Sequence, residues 1–395
     1  MVFAHTKILI YILAIVVGMI LGHLGTRKLQ CNQIPIPAEN FLLKEQIRSI
    51  NLLNTNNSNR SDIYSMKKDP THTYTHSLSV TMQKNLVITA AIHSDLTTMY
   101  RISRSLRVTC TFCTLVIIVT NVTTYNSDYK ELADLYSIVY ISYEEYFPLH
   151  LKNYQSDIKY IYSFRWIVIH KYLSTLHTKH QLYDNVFICD AHDTLFQTDI
   201  FAYMNGYAPG LYAFIEADHM KIGHCQTNKE WLLTCYGEAE AKKLFSKPIS
   251  CSGTVLGTWS AIMSYLFVME SEILSRSEAC KDYGGSDQGI HNYIIYNNKI
   301  SEVTIHHISN EYGFVGTLGY VLSWKRNQFG LVLNANGSVY AVIHQWNRSG
   351  QMKAQFQREY QIIPAEIRDK KDLIYDDVQT TTNQVDINNV SVIYK

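Results

Sequence analysis

The sequence predicts an α/β fold in which a mainly parallel sheet is flanked by helices on both faces, preceded by a transmembrane helix. Three observations carry this prediction. Short, fully apolar runs recur at "NLVITAAI" (85–92), "TLVIIVT" (114–120), "SIVYIS" (137–142) and "NVFIC" (185–189), and a strand that lacks polar alternation is one buried on both faces. Between these runs lie stretches of helical apolar spacing: Leu96, Met99, Tyr100 and Leu106 in one, Phe164, Ile167, Val168, Tyr172 and Leu176 in another. Strands that alternate with helices pair in parallel, with the helices as crossovers. The third observation is an apolar stretch at the N-terminus that belongs to no such unit.

That stretch, "ILIYILAIVVGMILGHL" from Ile8 to Leu24, holds one His and no formally charged residue. At helical rise it covers roughly 26 Å, close to the hydrocarbon core of a thin bilayer. Its length favours a retained signal-anchor over a cleaved signal peptide, with cleavage near Gly22–Thr26 as the alternative. Lys7 lies on one side and Arg27 and Lys28 on the other, so the charge rule for orientation is close to a draw. N-x-[S/T] sequons at Asn56, Asn59, Asn121, Asn336, Asn347 and Asn389 lean the body toward a lumenal side. The expected layout is a tail (1–7), an anchor (8–24), a polar stem (25–83), a globular body (84–350) and a polar C-terminal tail (351–395). The stem is rich in Asn, Ser, Thr and charge, with too little apolar surface to order itself.

A chain of 395 residues fits one large or two medium domains. The net charge of +1 and the lack of any basic run argue against direct nucleic-acid binding. Tyrosine occurs 29 times, with compositional drift and carbohydrate stacking as the open alternatives. Eight cysteines are scattered without zinc-ribbon spacing. Cys110-x-x-Cys113 precedes a strand instead of opening a helix, so it reads as a pair of ordinary buried thiols rather than a redox motif. Cys225 and Cys235 are a candidate disulfide if the body is lumenal.

The segment "NVFICDAHDTLFQTDIF" (185–201) ends its apolar strand in Asp190, His192 and Asp193. In open α/β sheets, ligands bind beyond the carboxyl ends of the strands. A lone Asp there would be a turn residue more often than a ligand. Two carboxylates with a His between them point toward a site for a hard divalent cation and a phosphate group. Further along, "KPISCSGTVLGTWSAIMSYL" (247–266) reads as a loop, a short strand and a helix. Its small residues Ser250, Ser252, Gly253 and Gly257 permit close backbone approach. In "GGSDQGIHNYIIYNN" (284–298), Ser286 or Asp287 starts a helix, and Asp287 serves either as an N-terminal helix carboxylate or in catalysis. "GSVYAVIHQWNR" (337–348) alternates as a late strand and delivers His344, the best third partner for the two aspartates.

Taken in order, "FICDAHDTLFQTDIF", "KPISCSGTVLGT", "SDQGIHNYIIYNN" and "GLVLNANGSVYAVIHQWNR" resemble a family of GT-A nucleotide-diphospho-sugar glycosyltransferases. Members of that family carry D-x-R-D-V-x-F-Q-x-D-P-F, C-S-G-T-v-x-G, D-Q-g-x-x-N-y-l and v-x-H-Q-y-d-R. The similarity spans about Asn85 to Arg348. It implies the GT-A form of the fold and a Mn²⁺ or Mg²⁺ cofactor held by Asp190, Asp193 and His344. It also implies that Asp287 and Gln288 act catalytically, and that Thr89, Ala90, Arg165 and Asp190 face the nucleotide-sugar donor. Departures are His192 for the family's Arg, Ile200 for its Pro and Trp346 for its Tyr, none of which removes an implied ligand.

The leading expectation is therefore a single-pass membrane glycosyltransferase of the Golgi or endoplasmic reticulum. Its body would be lumenal, its acceptor a glycan, lipid or protein, and its stereochemical course either inverting or retaining. A non-catalytic carbohydrate- or nucleotide-binding protein on the same fold is the alternative. A metal phosphoesterase fits the carboxylates but lacks the additional ligands of a two-metal site.

Overall fold

The computed structural model describes residues 83–359, apart from 122–125, 156–159 and 322. The expected anchor, the stem and most of the C-terminal tail lie outside the described residues. Among the described residues, no helix is long and apolar enough to cross a membrane.

The four apolar runs form β1 (Asn85–Ala90), β2 (Thr114–Val119), β3 (Ile138–Ser142) and β4 (Asn185–Asp190). They are joined by β6 (Leu211–Ile215), β7 (Ser250–Thr258) and β8 (Ile305–Ile308), after a short β5 (Thr194–Phe196). The main sheet has seven strands in the order β3-β2-β1-β4-β7-β6-β8. All neighbours are parallel except at β7, which runs antiparallel to β4 and β6. A smaller sheet has the order β5-β12-β9, with β12 (Val342–His344) between β5 and β9 (Val315–Thr317). A further pair, β10 (Lys325–Arg326) and β11 (Val332–Leu333), is antiparallel.

The longer helices are α1 (Leu96–Thr109), α2 (Ser127–Tyr136), α3 (Ile161–Thr178), α4 (Gln226–Leu244), α5 (Trp259–Ser275), α6 (Ser286–Tyr296) and α7 (Gly350–Glu359). Their starts are fixed chemically. Asp95 and Asn126 cap α1 and α2 by accepting from the backbone N–H of Thr98 and Asp128, and the Thr258 side chain caps α5 at Ala261. Gly285, with φ of 85°, turns the chain into α6, and a Cβ there would lie 2.5 Å from the Trp231 ring. Residues of α3, α5 and α6 pack with Ile88, Val186 and Val255 in one apolar core. On the other face, α1 packs with Phe187, Leu256 and the small sheet's Phe196 and Val342. Burying each large apolar side chain contributes about 1.5–3 kcal/mol, so the two-faced burial of β1, β4 and β7 anchors the molecule.

Three local readings are corrected. Residues 250–258 form one continuous strand, because the small residues lie in the middle of the sheet and not in a loop. The late strand is only Val342–His344, and it is buried throughout instead of alternating, since a helix-bearing face and β5 and β9 enclose it. The chain beyond 350 continues as α7, whose Met352 and Phe356 bury against Trp346.

The cysteine readings change as well. Cys235 bonds to Cys280, and Cys110 bonds to Cys113. Cys225 is a free thiol beside the Tyr320 hydroxyl at 3.2 Å. Cys225 caps the start of α4 while Cys235 lies within it. At helical rise the two stand about 15 Å apart, too far for a disulfide.

Candidate active site

Strand register assembles the site. Ala90 pairs with Asp190, so the carboxyl ends of β1 and β4 lie side by side. The antiparallel β7 pairs Thr254 with Cys189, which brings Gly253 to the same edge. In the small sheet His344 pairs with Thr194, the residue after Asp193. Three distant segments thus meet at Asp190, Asp193 and His344, whose ligand atoms all lie within 4.8 Å of one another. His344 Nε2 is 3.2 Å from Asp193 Oδ1 and 3.4 Å from Asp190 Oδ2.

Two observations test whether a divalent cation fits. His344 Nε2 is buried yet has no aligned hydrogen-bond partner, an arrangement that costs free energy unless something else binds it. A Cβ on Gly253 would stand 2.5 Å from Asp190 Oδ2 and 2.6 Å from His344 Cε1, so the glycine keeps space open at the three ligands. Cis ligands on Mg²⁺ or Mn²⁺ stand about 3 Å apart at metal–oxygen distances near 2.1 Å, close to the separations seen. The residues fit such an ion. Alanine at 253 is expected to lower Mn²⁺ affinity at least tenfold and stability by about 1–3 kcal/mol through overpacking. Calorimetric titration with Mn²⁺ together with denaturant unfolding checks both, and unaltered Mn²⁺ affinity would remove the cation from this cluster.

Charge is balanced through Arg165 on α3. Its guanidinium Nη1 contacts Asp190 Oδ1, and its Nη2 donates to Asp287 Oδ2 at 2.9 Å. Trp166 Nε1 donates to the same Asp287 oxygen at 3.0 Å. Burial alone would raise the Asp190 pKa, but Arg165 and then His344 outweigh it and hold the carboxyl well below its usual range. For His344, burial opposes the charged form, while the Asp193 and Asp190 carboxylates drive its pKa well above the ordinary imidazole value. Asp287 sits in the first turn of α6, where the helix dipole also favours a carboxylate.

The remaining residues singled out in the sequence fall as follows. Ala90 is half-buried at the strand end next to Asp190, and Thr89 is wholly buried. His192 is exposed, with Nε2 3.0 Å from the Ser94 hydroxyl. The Gln288 amide is fully engaged: its oxygen accepts from Ser252 N and Oγ, and its nitrogen donates to Glu216 at 2.7 Å and Asn228 at 3.3 Å. Asn292 clamps Ser250 through both its backbone groups, and His291 bridges the Ser250 and Tyr265 hydroxyls. The front of α6 is thus tied to β7, the strand that carries Gly253. Gln197 binds the Val332 and Tyr340 backbone, so the Phe-Gln of the motif braces the small sheet.

Glu216 escaped the sequence reading. It is buried, accepts from Gln288 and from Gln345 at 3.2 Å, and burial raises its pKa against those bonds. The signal was present: Glu216 ends the fully apolar run "LYAFI", as Asp190 ends "NVFIC".

No family model and no curated protein matches the chain. Among solved structures it is similar to a galactosyltransferase, LgtC, in complex with donor and acceptor sugar analogs. That likeness has 16% identity over 72% of this chain and 99% of that one, at a TM-score of 0.41. An active-site mutant of LgtC is similar at 13% identity, 72% and 99% coverage and a TM-score of 0.38.

Proposed function

We propose that the chain is a divalent-metal-dependent transferase acting on a diphosphate-activated donor, and specifically a glycosyltransferase using a nucleotide-diphosphate sugar. The observation that supports this most is the meeting of Asp190, Asp193 and His344 beside the space kept by Gly253, with Asp287 linked to the same cluster through Arg165. Asp190, Asp193 and His344 would hold Mn²⁺ or Mg²⁺, which when bound neutralises charge on a departing nucleoside diphosphate. Arg165 keeps the two carboxylate groups at fixed separation while remaining out of solvent. Asp287, fixed by two donors on one oxygen, is suited to take a proton from the acceptor hydroxyl on the other in an inverting reaction, or to position the donor sugar in a retaining one. Gln288, with no unused bonding capacity, holds β7 in place and shapes the site from behind.

Thermal shift of the purified chain with UDP, GDP and CMP, each with and without Mn²⁺, tests this reading. Stabilisation by one nucleotide that requires Mn²⁺ is the expected result. A nucleotide response indifferent to Mn²⁺, or none from any nucleotide, would overturn it. Asp287→Asn keeps an oxygen for Arg165 and Trp166, so we expect donor binding to survive while transfer falls by about 10² to 10⁴. Wild-type transfer by that variant would return Asp287 to a helix-capping role. Binding without transfer by the wild-type chain would favour the non-catalytic alternative.

We also propose a membrane-anchored body on the lumenal side of the Golgi or endoplasmic reticulum. The uncharged run at 8–24 supports this, as do the sequons, of which Asn121 and Asn336 are exposed. Protease treatment of intact microsomes should spare the body, and digestion would reverse the orientation.

A further inference from the structure

We propose that Cys110, Cys113 and Asp199 form a second cation site, for a soft divalent ion of the zinc type, that opens when the Cys110–Cys113 disulfide is reduced. It lies away from Asp190 and does not depend on the glycosyltransferase reading. The two sulfurs and an Asp199 carboxylate oxygen all lie within 4.8 Å of one another. They arrive from separate segments. Cys110 caps the C-terminal end of α1, Cys113 leads into β2, and Asp199 follows β5, where it accepts from Phe201 N at 2.9 Å. A cleft of about 320 Å³, lined also by Gln83, Asn85, Thr109 and Phe112, opens onto the three side chains.

The turn does not need its disulfide to keep this shape. Arg107 donates to the Cys113 carbonyl at 2.6 Å and the Cys110 carbonyl at 3.4 Å, and also binds the carbonyls of Tyr136 and Ser137. Cys110 N donates to Leu106 O at 2.7 Å. The cross-link joins residues only three apart, so it restrains little of the unfolded chain, whereas Cys235–Cys280 spans 45. A weak staple on an independently held turn leaves the sulfurs in place after reduction. Two thiolates on a tetrahedral Zn²⁺ stand about 3.8 Å apart at Zn–S near 2.3 Å, and side-chain rotation reaches that with the Cα atoms 5.6 Å apart. Asp199 supplies a third ligand and the cleft leaves a fourth position open. The electronegative end of α1 and the carboxylate favour a bound cation over a free thiolate nucleophile.

The chemistry balances in two steps. A dithiol reductant gives two electrons and two protons to the disulfide, yielding two cysteine thiols and the reductant's own cyclic disulfide. The metal ion then displaces both thiol protons and takes two sulfurs and the Asp199 carboxylate as ligands.

Cadmium serves as the probe, because its thiolate complexes absorb in the ultraviolet through charge transfer. The full chain, untreated or reduced with a dithiol that is then removed, is titrated with Cd²⁺. We expect about one equivalent more of thiolate–cadmium absorbance in the reduced chain than in the oxidised one, whose free Cys225 sets the background. This increment should be lost in the Cys110→Ser/Cys113→Ser variant and weakened at least tenfold in Asp199→Asn. Asp190→Asn should leave it unchanged, which separates this site from the first cluster. Absence of the increment in reduced protein, its survival in the double serine variant, or full affinity in Asp199→Asn would each overturn the proposal.

Discussion

Asparagine in place of Asp190 is expected to abolish Mn²⁺-linked nucleotide binding and to lower transfer by about 10² to 10³, with the fold intact. Asp190 is where the site's elements converge: the end of β4, the Arg165 guanidinium, His344 Nε2 and the space over Gly253. A metal ion contributes several kcal/mol to stabilising charge in a transferring group, and each 1.4 kcal/mol is a factor of ten. Losing one anionic ligand of two removes most of that. Stability should fall little, because Arg165 keeps Asp287 at 2.9 Å and the asparagine oxygen still accepts from Nη1. Arg165→Met is the contrasting change. It leaves two carboxylates facing buried surroundings without their cation, an arrangement that costs about 3–5 kcal/mol. Titration calorimetry with nucleotide, with and without Mn²⁺, alongside denaturant unfolding of both variants, separates the site's two jobs. A wild-type Mn²⁺ dependence in Asp190→Asn would end the metal assignment.

Residues whose partners are close along the chain, or whose burial is complete, were readable in advance. β1, β2 and β4 announce themselves because each lies between two apolar layers and so carries no polar alternation, whereas β3, at the sheet edge with Val139 exposed, shows only as an apolar run. Asp190 and Asp193 were visible because a strand this apolar has no local reason to end in two carboxylates. What depended on pairing across the sheet was hidden. The antiparallel course of β7 turns "SCSGTVLGT" from a ligand loop into a central strand, and no periodicity distinguishes a buried strand's direction. The partner of Cys235 is 45 residues away on another helix, beyond what spacing can indicate. The double pairing of Arg165 depends on α3 crossing between the ends of β4 and α6. Glu216 was overlooked for a different reason: although Asp218 and His219 follow it closely, the short run "LYAFI" was not recognised as a strand, so there was no strand end for its carboxylate to mark. The Phe-Gln of the motif showed as sequence but not as structure, since the Gln197 partners lie more than a hundred residues on.

Mn²⁺ affinity is expected to rise about tenfold per pH unit from mild acid until pH reaches the folded-state pKa of His344, and then to level off. A metal takes only the neutral imidazole, so binding releases one proton wherever His344 starts protonated. Asp193 and Asp190 beside the ring extend that protonated range well above the ordinary value near 6.5. The same coupling sets the metal-free stability. A group whose folded pKa is raised contributes fully below its unfolded pKa, and that contribution is lost as pH climbs through the folded value. The metal-free chain should therefore lose stability from near-neutral to alkaline pH, while the Mn²⁺-bound chain, whose His344 is neutral as it is in the unfolded chain, should stay level over that range. His344→Ala removes the imidazolium from between two carboxylates, so the metal-free form is destabilised whether or not the histidine is a ligand. Lower stability alone thus cannot mark a purely structural residue; the pH slope can. In the variant, Mn²⁺ affinity should fall and its pH dependence should flatten, because Asp190 is already ionised throughout that range. Added Mn²⁺ should restore part of the lost stability by relieving the two facing carboxylates. Affinity measured at several pH values on both chains decides the matter, and an unchanged slope in His344→Ala would place the titrating ligand elsewhere.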